Sequence, residues 1–208
     1  MIQHVRRATA TIAAAAALTM ALAGCGGDEP DPIPSTSPST SASASPSASP
    51  SVDQTAWRSK YNANQLKAYD TALQRFEDYE SRSEPIWAKG EATPQAERLF
   101  RDYFSSSGAL LQFTRLKTYQ KVEVTIDGIP DVYWSRAKAI TKPGTSVTIE
   151  QCLDYTPVTT TQRGKVVKRP APKPQLRTIH LSRPAGYDWL IYELVDLDKN
   201  GKGRPCTP

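Results

Sequence analysis

Between Glu29 and Val52 the chain offers almost nothing that a core could hold. Nearly every residue there is Pro, Ser, Thr, Ala or Asp, and Ile33 is the lone large aliphatic inside it. Such a composition buries too little apolar surface to offset the entropy of ordering, so it stays extended. At about 3 Å per residue in polyproline-like stretches it spans several tens of ångströms. Folding is thereby confined to Thr55–Pro208 of the 208 residues, enough for one domain with a modest core.

The segment before it reads differently. Arg6 and Arg7 precede an apolar run, Ala8 to Ala23, which has the layout of a secretory leader. The residues flanking the arginine pair do not complete a twin-arginine signal, so the general secretory route is expected. The run closes on Leu22-Ala23-Gly24-Cys25, which resembles the lipobox of bacterial lipoproteins. That resemblance implies cleavage before Cys25 and a diacylglycerol on its thiol. Two acyl chains suffice for stable attachment to a membrane. The expected organisation is a signal peptide over 1–24, a lipidated disordered linker over 25–54 and a folded head over 55–208, held at the extracytoplasmic face of the cell membrane.

Charge narrows the partners. The chain carries 26 basic and 21 acidic side chains, and loss of Arg6 and Arg7 with the leader leaves 24 against 21. That excess is too small for a nucleic-acid surface, and no basic stripe with interleaved aromatics appears. With Cys25 lipidated, Cys152 and Cys206 remain as an even pair in an oxidising compartment, and a disulfide between them is the simplest expectation. His180 is the lone histidine after the leader, so no metal site is expected.

The head divides into helices and then strands. Leu66, Tyr69, Leu73, Phe76 and Tyr79 recur at helical spacing after Asn62 or Asn64, and Ser83-Glu84-Pro85 predicts the helix end. Thr93-Pro94 opens a second helix through Ala96, Leu99, Phe100, Tyr103 and Phe104, which stops near Ser105 to Gly108. Periodicity does not decide Ala109 to Leu116. Alternation then predicts strands at Lys121–Ile126, Tyr133–Thr141 and Ser146–Tyr155, followed by a hairpin of Leu176–Arg183 and Trp189–Val195 turned at Pro184-Ala185-Gly186. Thr156 to Pro174 is too proline-dense for a central strand. The fold class is α+β, with amino-terminal helices packed on a curved antiparallel sheet.

This order of elements, with a cysteine in a middle strand, a late Trp189 strand and a terminal Cys206, resembles secreted actinobacterial lipoproteins of the nuclear transport factor 2-like (cystatin-like cone) class over Leu66 to Cys206. The proline-rich insert departs from that class. The resemblance implies a pocket between helix and sheet, for which Tyr103, Tyr133, Asp154, Tyr155 and His180 are the candidate acids and bases. Alternation sets His180 beside Thr178 and Ser182, on a partly solvated face. The cone supports binding modules as well as isomerases, cyclases and dehydratases. The reading favoured here is a binding or interaction module of the cell envelope without covalent chemistry, the pocket enzyme being the alternative.

Other motifs carry less. Asp196-Leu197-Asp198-Lys199-Asn200-Gly201 imitates the start of a calcium loop, but Thr207 stands where a bidentate glutamate belongs, and a polar turn is expected. Ser105-Ser106-Ser107-Gly108 lacks the setting of an activated nucleophile. No glycine loop cradles a phosphate, so no cofactor is expected. Arg163, Lys165, Lys168, Arg169 and Lys173 form a cationic arm suited to an envelope protein or an anionic wall polymer.

Overall fold

Asn62 sets the first helix. Its side chain accepts from the Gln65 N–H at 3.0 Å, and the Gln65 side chain accepts from the Asn62 N–H at 3.1 Å, a reciprocal capping box. The computed structural model describes residues 55–168, 173–197 and 200–208. Every described element falls within the compact unit Ala48–Pro208. After a 3₁₀ turn, Ala56–Lys60, come α1 (Ala63–Lys89), α2 (Pro94–Tyr103) and α3 (Ser106–Lys121). The strands are β1 (Val124–Asp127), β2 (Asp131–Ile140), β3 (Ser146–Asp154), β4 (Thr159–Gln162), β5 (Lys165–Val166), β6 (Gln175–Ser182) and β7 (Leu190–Val195). None of the described helices is long and apolar enough to cross a membrane.

The α1 helix does not end at Pro85, as the sequence suggested, but runs on to Lys89. Pro85 removes one helical hydrogen bond, yet it and Ser81 are exposed, so the orphaned carbonyl keeps access to solvent. Continuing the helix lets Ile86 and Trp87 pack on the core. Gly90, at φ 67°, ends it in the left-handed region.

The serine run both ends one helix and starts the next. Ser105 caps α3 by accepting from the Gly108 N–H at 3.3 Å, and its own N–H donates to the Ile191 carbonyl at 3.0 Å. The joint is thus fixed to β7. It also settles Ala109 to Leu116 as helix.

The main sheet is antiparallel, in the order β2-β3-β6-β7. Across it, Ala137 pairs with Ile149, Ile149 with Ile179 and Ile179 with Leu194, forming an apolar row that faces the helices. Phe76, Phe100, Leu116, Val147, Leu181, Trp189 and Ile191 complete the core. Register shifts in β2, and between His180 and Leu181, bend the ladder. The α+β arrangement expected from the sequence is what the chain adopts.

Two details were not expected. Strand β1 leaves the main sheet and pairs with β4, giving a second sheet of order β1-β4-β5. The proline-rich insert therefore begins as a hairpin, and its described prolines, Pro157 and Pro174, lie outside the strands. The carboxy-terminal tail also returns to the sheet. Gln175 bridges Pro205, the Leu176 N–H donates to the Arg204 carbonyl at 2.7 Å, and Trp134 Nε1 donates to the Thr207 carbonyl at 2.8 Å. Cys152 and Cys206 are joined, their Cα atoms 5.9 Å apart and 54 residues apart in sequence. Cys152 pairs with Trp134 on the face away from α1, so the disulfide clamps the tail there.

Candidate functional site: a cavity between the long helix and the sheet

Phe76, Tyr79, Glu80, Ser83, Glu84 and Trp87 fall on one face of α1, at spacings of three and four. They form one wall of a cavity of about 160 Å³, which α3 closes with Gln112 and Arg115. Ile126, Gly128, Ile129 and Pro130 form a second side, Arg177 and Leu194 the floor, and Tyr155, Val158 and Asp196 the mouth. A wider outer groove of about 1030 Å³ shares Arg115, Ile126, Tyr155, Val158, Leu194 and Asp196 with it and reaches Lys173 and Pro205. Gly128 is required by space: at φ 87°, an added Cβ would lie 2.6 Å from the Pro157 carbonyl oxygen.

The floor is a chain of polar groups. Arg177 donates to Glu80 at 2.7 Å and, through two nitrogens, to Gln151 Oε1 at 3.2 and 2.7 Å. Gln151 Nε2 in turn donates to Ser135 at 3.0 Å. The Arg177 guanidinium lies 4.7 Å from the Phe76 ring centre. The side chains of Arg177 and Glu80 are 6% and 14% exposed. Desolvation opposes burial of such a pair, and the extra hydrogen bonds offset it.

Burial keeps two of the tyrosines neutral. Burial pushes the Tyr79 phenol up to about 12. Burial, aided by Asp196, also raises Tyr155 well above the ordinary tyrosine value. Tyr155 Oη donates to Asp196 Oδ1 at 3.2 Å.

Of the pocket residues expected from the sequence, Tyr155 alone lines this cavity. Tyr103 hydrogen-bonds Asp78 on the α1–α2 side, and that bond holds the Asp78 carboxyl below the usual range. Tyr133 donates to Asp154 at 3.1 Å across β2 and β3, in an exposed position. His180 meets Ser146 Oγ at 2.9 Å on the sheet face away from α1, as alternation implied. Asp196 serves the mouth rather than a calcium loop. Asp198 and Lys199 lie outside the described residues, and among the described residues no group of three acidic, histidine or cysteine side chains is placed to hold a metal.

Four of the five cationic residues are described. Arg163 sits at the β4–β5 turn with φ 51°, Lys165 is in β5, Lys168 is exposed and Lys173 lines the outer groove. Arg169 and Cys25 lie outside the described residues. Two lining residues, Gln112 and Arg177, and Gln151 behind Arg177 escaped the sequence reading although each left a signal. Gln151 and Arg177 hold inward positions among Val147, Ile149, Ile179 and Leu181, and Gln112 stands between Ala109 and Leu116 on a buried helical stripe.

No protein-family model and no curated protein matches the chain. Among solved structures, the intermembrane space region of chloroplast protein ARC6 is similar at a TM-score of 0.33 and 11% identity, covering 59% of this chain and 93% of that one. A likeness so weak carries no argument, and the reading rests on the residues themselves.

Proposed function

We propose that the chain is a membrane-anchored extracytoplasmic lipoprotein whose head is a binding module, taking a small molecule into the cavity between α1, α3 and the sheet. The observation that carries this reading is the cavity itself, with aromatic and aliphatic walls and a few fixed polar groups, the usual make-up of a small-molecule site. Its buried acid, Glu80, is held by Arg177 at 2.7 Å. That favours recognition over proton transfer, since a general base must be free to meet its substrate. The clamp between Cys152 and Cys206 supports an oxidising compartment, where structural disulfides persist. Leu22 to Cys25 supports the lipid anchor, and the order of elements from Leu66 to Cys206 supports a place among actinobacterial lipoproteins of the cone class.

One experiment separates the two halves of the reading. Full-length chain and its Cys25→Ala variant are expressed in a bacterial host and partitioned into detergent. The wild type should enter the detergent phase and the variant the aqueous phase. Equal partitioning of the two would remove the anchor and leave the cavity reading standing.

A further inference from the structure

The glutamine at position 112 is the anomaly of the cavity. It lies on the inward stripe of α3 between Ala109 and Leu116, which are 5% and 0% exposed, and is itself only 8% exposed. A helical stripe of this kind is normally apolar. Among the described residues its side-chain amide has no hydrogen-bond partner, although it lines the cavity. Its amide atoms stay accessible from the cavity rather than sealed among the walls, so they can bond a molecule that enters it. The neighbouring polar groups do not fill that role: Arg177 is committed to Glu80 and Gln151, and Asp196 accepts from Tyr155.

We infer that the cavity takes a ligand with a ring-sized apolar body and an uncharged amide- or hydroxyl-type group that hydrogen-bonds Gln112. The inference rests on the binding-module reading and specifies its ligand. Size supports it: about 160 Å³ is near the volume of cavities that accept a benzene-like molecule. The flanking rings are held by packing, Trp87 at 5.7 Å from Phe100 and Tyr79 at 4.9 Å from Phe104, so the walls are formed in advance. The charges of the lining nearly balance, Glu80, Glu84 and Asp196 against Arg115 and Arg177, which leaves little net field to select a charged ligand. Glu84 also lines the site, engaged by the Gly128 N–H at 3.4 Å. Were Glu84 the recognising group, a cationic probe would bind best.

The test uses the full-length chain with four one-ring probes: benzamide, toluene, benzylammonium and benzoate, with dissociation constants read by titration calorimetry. Benzamide should bind about tenfold tighter than toluene, since one added hydrogen bond to the cavity amide corresponds to a ratio of this order. In Gln112→Leu that ratio should fall to about twofold or less, while the thermal midpoint of the unliganded protein holds, because the substitution breaks no hydrogen bond made among the described residues. Gln112→Met serves the same purpose should leucine disturb the fold. A lowered midpoint in both variants would make the glutamine structural and overturn the inference. A benzamide-to-toluene ratio untouched by the substitution, or tighter binding of either charged probe, would also overturn it while leaving a binding cavity. Failure of all four probes to bind the wild type would take the binding-module reading down as well.

Discussion

Arg177 on β6 and Glu80 on α1 meet at 2.7 Å across 97 residues of sequence, joining the sheet to the long helix at the floor of the cavity. Either residue alone is a buried, uncompensated charge. Arg177→Met should therefore lower stability to urea by about 3 kcal/mol, and Glu80→Gln by a similar amount. The double variant should recover most of that loss, because no unpaired charge remains. A double variant as weak as the sum of the singles would show that the two side chains do not act as a pair.

Reduction should act on the tail before the core. The bond between Cys152 and Cys206 closes 54 residues and holds the segment that bridges Gln175 and reaches Trp134. Breaking it should remove about 2–4 kcal/mol and lower the melting temperature. Trp134 fluorescence should shift as its indole loses the Thr207 carbonyl. An unchanged midpoint in reductant, with thiol titration showing the bond open, would contradict this account.

Glu150 should govern part of the acid response. Burial alone would raise its pKa, but hydrogen bonds from Arg136 and Lys138, at 2.8 and 3.2 Å, outweigh burial and hold it below the usual carboxylate range. Because the folded value is depressed, its stabilisation is complete above the unfolded pKa of about 4.3 and is lost as pH falls through the folded value. Glu150→Gln should thus be less stable than wild type at pH 7, and the two should converge towards pH 3. A constant difference across that range would exclude the carboxylate as the cause.

The basic side chains of the insert give a salt-dependent prediction. Replacing Lys165, Lys168 and Lys173 with glutamine leaves the β4–β5 pairing intact and removes three positive charges from that side. Retention on an anionic wall polymer should fall markedly at low salt, with a smaller difference at 0.5 M, where screening dominates. Equal retention of variant and wild type at low salt would assign the attraction elsewhere.

Much of the scaffold was legible because it is local. Caps at Asn62 and Thr93, alternation through Val147 and Ile149, and the Pro184-Ala185-Gly186 turn each act within a few residues, and the structure follows them. Long-range choices were not legible. The helix crosses Pro85 because Trp87 finds Phe100 and Tyr119, and β1 deserts the main sheet because β4 is there to pair with it. The cavity was hardest to see. Tyr155 drew notice as an ionisable aromatic, whereas Gln112, Gln151 and Arg177 show their role only once the inward face is known.

The length of α1 has a mechanical corollary. The helix is capped at Asn62, whereas the cavity wall is centred near Ser83, some 20 residues and hence about 30 Å farther along one rigid rod. Load applied at the amino-terminal end of α1 would be taken up near Asn62, leaving the aperture beside Tyr155 undistorted.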